Sequence, residues 1–323
     1  MSAAPMYSAA TLRAALRLPV IAAPMFIVSG PELVIAQCKA GIVGSFPALN
    51  ARPQSQLDEW LHQIVEALAE HDRAHPLSPA APFAVNQIVH RSNDRLEQDL
   101  ETCLRRGVRL MITSLGARED VYRACAAAGT LVLHDVISDR FARKAIEKGA
   151  GGLIAVAAGA GGHAGRQSPF ALMQEIRSWY TGPLALAGAI ANGRAVLAAR
   201  ALGADFAYCG SMFIAAQEAR ASAAYKQAVV DARAEDILYT RAITGVHGNY
   251  LRASLVAAGL DPDQLEQADP PSMDFAAAAN GAKAWKDIWG AGQGVGAVQA
   301  VEPAAVQVQR LLEEYRAARA ALD

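Results

Sequence analysis

Short apolar runs alternate with helix-like segments eight times along this chain, and that alternation restricts its fold more than any other feature. The runs lie at 19–25, 42–46, 83–88, 109–113, 130–134, 153–158, 184–187 and 206–209. Apolar runs of this length, bounded by turn residues, predict strands buried on both faces, as in a parallel sheet. The segments between them, at 31–40, 53–71, 94–106, 118–128, 139–148, 169–180 and 192–202, predict helices. The clearest carries Leu57, Leu61, Ile64, Val65 and Leu68 at helical spacing, and Ser29 ahead of Pro31 supplies a helix start. Parallel strands need crossover connections, usually helices. A doubly wound sheet usually stops near six strands, so eight units predict an α/β chain folded as a closed (β/α)8, or TIM, barrel.

Past the eighth strand the pattern loosens. A helix is expected over 213–230, a mixed polar stretch over 232–244, an acidic turn-rich stretch over 262–271 and a second helix over 275–288. Glycines then repeat over 290–296, and a last amphipathic helix begins at Pro303. The reading is a barrel formed by residues 1–215 plus 290–323, with 216–289 as a helical capping segment over its mouth.

Composition narrows the function classes. Hydrophobic residues make up 53% of the 323 positions but aromatics only 6%, which suits a close-packed α/β interior. The net charge of −1 and the absence of like-charge blocks leave no basic stripe for nucleic acid. No window predicts a membrane span, and the first residues lack the pattern of a signal peptide. Cys38, Cys103, Cys125 and Cys209 stand singly, without metal or redox spacing, and are expected to be free thiols in a reducing cytoplasm.

Chemistry is expected where strands end. The sixth run empties into a loop holding Gly159, Gly161, Gly162 and Gly165 around His163. Glycine lets backbone approach a ligand closely, and the carboxyl end of a barrel strand is where active sites are built. A satisfied surface loop is the competing explanation. Ala187-Gly188-Ala189 follows the seventh strand and Gly210-Ser211 the eighth; such turns suit a phosphate group, although tight helix–strand packing also asks for glycine. No dinucleotide or P-loop glycine signature follows a strand. Asn86 ends the third strand with an amide that both donates and accepts, which suits a planar heterocycle or simply a turn. Met25 ends the first strand as a core or site-lining residue. His134-Asp135 ends the fifth as a charge pair, and with no third ligand evident no metal is assigned.

With these residues in place the chain resembles the nitronate monooxygenase family, also called 2-nitropropane dioxygenases, which are FMN enzymes built on (β/α)8 barrels. The resemblance rests on AAPM at 22–25, AGAGGHAG at 158–165, the long segment 184–219 and AWKDIWGAGQGVG at 284–296. It implies that His163 is the catalytic residue beside substrate and flavin. It implies cofactor contacts from Ala23, Pro24, Met25, Asn86, His134, Gly162 and Gly165. Ala187, Gly188 and Ala189 with Gly210 and Ser211 would hold the FMN phosphate, and Gly292, Gln293 and Gly294 would approach the flavin from the far side. The implied reaction oxidises an alkyl nitronate or nitroalkane with O2 to a carbonyl compound and nitrite. His163 would orient the anionic nitronate, or act as a base if its pKa stays near the ordinary value of about 6.5. Two alternatives stay open: an NAD(P)H-dependent FMN reductase of quinones or enoyl-thioesters, and a non-catalytic barrel that binds a phosphorylated ligand. A homodimer is compatible with the sequence, though nothing in it dictates one. Two departures stand out. The phosphate turn reads Ala187-Gly188-Ala189 where the family commonly has Gly-Gly, and Asp135 stands where relatives carry Lys.

Overall fold

A computed structural model describes residues 6–265 and 287–322. Its main sheet comprises β1 (Val20–Ala22), β2 (Gly44–Pro47), β3 (Phe83–Ile88), β4 (Leu110–Ser114), β5 (Leu131–Val136), β6 (Gly152–Val156), β8 (Leu184–Ala187) and β9 (Phe206–Cys209). A two-residue strand, β7 (Gly162–His163), belongs to a different sheet. All main-sheet pairings are parallel, in the order β1-β9-β8-β6-β5-β4-β3-β2. A parallel bridge between Ile21 and Val43, with the Ala22 amide donating to the Val43 carbonyl at 2.8 Å, joins the two ends. The eight strands therefore form the expected (β/α)8 barrel, and the helices stand around it.

Side chains alternate along each strand between two cores. Ile21, Ala84, Leu110, Ile112, Leu131, Leu133, Ile154, Ala185 and Phe206 fill the barrel interior. Val85, Met111, Val132, Leu153 and Leu184 face the helices. A short first helix, α1 (Ala9–Ala14), adds fully buried Leu12 to the interior cluster, which no strand pattern announces. Seven helices make the ring: α2 (Pro31–Ala40), α3 (Gln56–Ala74), α4 (Leu96–Arg105), α5 (Glu119–Ala127), α6 (Asp139–Glu147), α7 (Pro169–Arg177) and α8 (Gly193–Ala201). The C-terminal helix, Ala304–Ala320, packs on α2 and α8. Its Glu314 accepts from the Gly193 amide at 2.7 Å, at the start of α8.

Two expectations change. The first strand stops at Ala22; the Ala23 amide still donates to the Cys209 carbonyl at 2.8 Å, and the chain then turns away from the sheet. The Met25 amide donates to Ser29 Oγ at 3.0 Å, and its carbonyl accepts from Asn50 Nδ2 at 3.0 Å. The helix expected over 213–230 is two helices, α9 (Ser211–Ile214) and α10 (Ala223–Asp231), because Ser222 caps the second through the Tyr225 amide. The segment beyond carries a hairpin as well as helix: β10 (Ile237–Thr240) pairs antiparallel with β11 (Gly248–Leu251), followed by α11 (Arg252–Ala257). Most of the helix expected over 275–288 lies outside the described residues. Cys38, Cys103, Cys125 and Cys209 are all buried and free. Burial pushes the Cys38, Cys125 and Cys209 thiols up to about 12 and Cys103 higher still, which leaves them unreactive. No helix among the described residues is long and apolar enough to cross a membrane.

Candidate active site

A cavity of about 1280 Å³ opens at the carboxyl ends of the strands. All the residues singled out from the sequence line it, from Ala23, Pro24 and Met25 round to Gly292 and Gly294, with the exception of Gln293. Gln293 instead donates its amide to the Gly159 carbonyl at 2.9 Å and so ties the two glycine segments together. Those segments run in contact. A Cβ on Gly161 would lie 2.8 Å from the Gly292 amide nitrogen, and one on Gly292 would lie 2.5 Å from the Gly159 carbonyl. Backbone this close leaves room for glycine alone, which is why glycine appears twice, more than a hundred residues apart in the chain.

The turn after β8 shows what the departure from Gly-Gly does. Gly188 has φ +144°, and Ala189 takes the left-handed conformation, φ +52°, that glycine adopts without strain. Ala189 also commits its amide to the Gly159 carbonyl at 3.2 Å. Its N–H is thus directed at protein, leaving Gly188 and the turn into α9 to face the cavity. Ser211 Oγ accepts from the Gly292 amide at 2.7 Å, which joins the eighth strand's turn to the returning segment.

His163 does not sit in an irregular loop. Gly162–His163 is the third strand of the hairpin sheet, with His163 opposite Gly248 and Gly162 opposite Asn249. The segment after the barrel therefore holds the histidine by its backbone. The side chain is half-buried on the cavity wall, and its Nε2 lies 3.1 Å from Thr244 Oγ1. Thr244 Oγ1 reaches the Val246 carbonyl at 3.1 Å and the Tyr250 hydroxyl at 3.3 Å. A carbonyl can only accept, so the single Thr244 proton goes to Val246. The threonine oxygen then accepts from Tyr250 and from His163 Nε2–H, which leaves Nδ1 as the basic nitrogen. Desolvation lowers the imidazole to about 4, not the ordinary value that a base was expected to keep, so it is neutral across the physiological range.

The fifth strand sends His134 and Asp135 to different partners, so they do not form the expected charge pair. His134 borders the cavity, but its ring turns to the outer layer. There Nδ1 meets Thr113 Oγ1 at 2.8 Å and the ring lies edge-on to Tyr122 of α5, 5.9 Å between centroids. Burial lowers this imidazole too, to about 4. Asp135 occupies the next position and falls on the inner face with Asn86 of β3, Ser114 of β4 and Tyr208 of β9. Asn86 Nδ2 donates to Ser114 Oγ at 2.8 Å, and Ser114 Oγ donates to Asp135 Oδ2 at 2.6 Å. Ser114, Tyr208 and Thr244 were not anticipated. The first two lie at the carboxyl ends of strands buried on both faces, whose continuous apolar runs hide the direction of each residue, and Thr244 carried no local signal.

A family model described as nitronate monooxygenase matches residues 9–314. A nitronate monooxygenase of Paraburkholderia phytofirmans is 27% identical, with 92% of each chain covered. A (3aS,4S,5R,7aS)-5-hydroxy-7a-methyl-1-oxo-octahydro-1H-indene-4-carboxyl-CoA dehydrogenase of Mycobacterium tuberculosis is 26% identical over 74% of this chain and 64% of that one. Among solved structures, a nitroalkane oxidase from Streptomyces ansochromogenes is 26% identical, with a TM-score of 0.74, and 98% of this chain and 100% of that one are covered. With a barrel, a glycine-walled cavity and a family match that spans nearly its whole length, this chain belongs to the nitronate monooxygenase family.

Proposed function

We propose that this chain binds FMN in the barrel-mouth cavity and oxidises alkyl nitronates or nitroalkanes with O2 to carbonyl compounds and nitrite. The observation that carries this reading is a neutral histidine on the wall of a glycine-lined cavity, with its tautomer set by Thr244. The residues suit a flat, phosphorylated ring system. Gly188 and the turn at Gly210 and Ser211 bring backbone to the rim, and the first amides of a helix have no carbonyl of their own to meet. Asn86 and Ser114 offer polar groups on the floor, while Ala23, Pro24 and Met25 form an apolar side. Ligand pockets usually span about 300–1,000 Å³. At about 1280 Å³ this one has space for a cofactor together with a substrate.

FMN, when bound, would supply the electron transfer between the nitronate and O2. The protein's part is position and proton handling. In this reading His163 Nδ1 accepts the α-proton of a neutral nitroalkane, and with a preformed nitronate the same group acts through position alone. A reductase of quinones or enoyl-thioesters driven by NAD(P)H is the second reading. The size of the cavity favours it, together with Arg166 on its wall, whose positive charge suits a larger anionic substrate. Anaerobic mixing of the flavin-loaded protein with propyl-nitronate, NADH and NADPH in separate cells distinguishes the two. Bleaching by the nitronate within seconds supports the first reading, and bleaching by a nicotinamide alone supports the second. Protein that is colourless and takes up no FMN overturns both.

A further inference from the structure

Asp135 is a carboxyl group in a place that does not suit a negative charge. One oxygen, Oδ2, accepts from Ser114 Oγ at 2.6 Å; the other, Oδ1, is sealed from solvent and has no hydrogen-bond partner among the described residues. A carboxylate has room for about four donors, whereas the neutral acid asks for far fewer. Here one donor is supplied. The groups that face Asp135 do not offset its charge. Asn86 of β3 and Ser114 of β4 are neutral, and the neighbouring residues of β6, Ile154 and Val156, are apolar. Tyr208 of β9 and Tyr122 of α5 both feel its charge, and both have their phenols pushed up, first by burial. His134 beside it and His163 across the cavity are held neutral. Lys144 of α6 lines the cavity but is not among the groups acting on this carboxyl.

We propose that Asp135 is a carboxylic acid, not a carboxylate, when the cavity is filled, and that FMN binding takes one proton from solvent to keep it so. This rests on the flavin reading above. Before any ligand enters, burial already raises Asp135 to about 7, with Ser114 opposing. A bound ligand removes the remaining water above the floor, and its phosphate brings more negative charge into the same cavity; both disfavour the ionised form further. Asp135 thus acts as a positioning residue that makes the floor neutral toward an anionic cofactor and an anionic substrate.

The linkage has a definite sign. Because the filled state holds the proton more tightly than the empty one, FMN affinity is greatest below the free-state value near 7 and falls as pH rises above it. The slope approaches about tenfold per pH unit until the filled-state value is reached. The test is FMN binding to flavin-stripped protein, followed by fluorescence quenching from pH 6.5 to 9, with wild type, Asp135→Asn and Ser114→Ala. Wild type should lose affinity across the upper part of this range. Asp135→Asn should bind with almost no dependence on pH and more tightly than wild type at pH 9. Ser114→Ala removes the one donor, so its loss of affinity should begin at lower proton concentration, displaced to higher pH; it also serves if Asp135→Asn does not fold. Equal pH dependence in wild type and Asp135→Asn assigns the proton elsewhere and overturns the proposal. Affinity that is flat from pH 7 to 9 in wild type overturns it while leaving the flavin reading intact. Failure to bind FMN at any pH overturns both.

Discussion

His163 and Thr244 are 81 residues apart in the chain, yet Nε2 of one and Oγ1 of the other lie 3.1 Å apart. The threonine proton is directed to the Val246 carbonyl, so the contact selects which ring nitrogen of His163 is basic. The barrel contributes the histidine and the following segment contributes its tautomer. Thr244→Val keeps the shape and removes the acceptor. Flavin reduction by neutral nitroalkane should slow about five- to tenfold, in keeping with one hydrogen bond worth ~1 kcal/mol. Thr244→Ser should restore the rate. Stopped-flow reduction together with the imidazole nitrogen NMR shifts of His163 checks both points; an unchanged tautomer in Thr244→Val removes the threonine from this role.

The depressed imidazole of His163 has a pH signature. Held at about 4, it stays in its base form down to mildly acidic pH, so activity with nitroalkane should not decline near 6.5 but only on approach to 4. The same shift bears on stability. A histidine whose folded value lies below its unfolded value favours the fold above about 6.5, and that contribution is lost as pH falls toward 4. His163→Asn should leave FMN bound and slow reduction by neutral nitroalkane about 10²- to 10⁴-fold. Preformed nitronate should be much less affected if the group is a base. Equal loss with both substrates identifies a binding role, and no loss with either takes His163 out of the mechanism.

Gly188 is a separate test of the phosphate turn. Its φ of +144° and the 2.8 Å approach of an added Cβ to the Ala158 carbonyl leave no place for a side chain. Gly188→Ala should lower flavin occupancy through a displaced turn, and Gly188→Asp should lower it further by placing like charge beside the phosphate. Flavin-to-protein ratio and circular dichroism, measured on the same samples, separate loss of cofactor from loss of fold. Full occupancy in Gly188→Asp puts the phosphate elsewhere.

Leu12 tests the opposite part of the barrel. It is fully buried in the interior cluster, although the short helix that carries it lies outside the strand–helix repeat. Leu12→Ala should cost about 2–5 kcal/mol in urea unfolding, the usual range for a buried leucine truncated in a core. Flavin occupancy of the folded fraction should be unchanged, because Leu12 does not line the cavity.

The alternation of eight apolar runs with helical segments determines the barrel, because parallel strands of this number, joined by crossovers, have few other ways to bury both faces. The glycines at 161, 188 and 292 were also legible as places of close approach, though the expected reason was a ligand and the structure shows neighbouring backbone there. The inward or outward direction of each strand residue was not. Strands buried on both faces read as continuous apolar runs with no alternation, so nothing in them tells that the His134 ring, expected at the cofactor, turns to Tyr122 while Asp135 takes the cavity side with Ser114. Nor did the sequence contain the contacts that tune His163. Gly248 and Thr244 follow a stretch with no strand or site signal, and they meet the histidine only because β10 and β11 extend a sheet onto the Gly162–His163 backbone. Local composition sets which elements form. Which titratable groups lose water, and which gain partners, is set by surfaces that come together only when the chain closes.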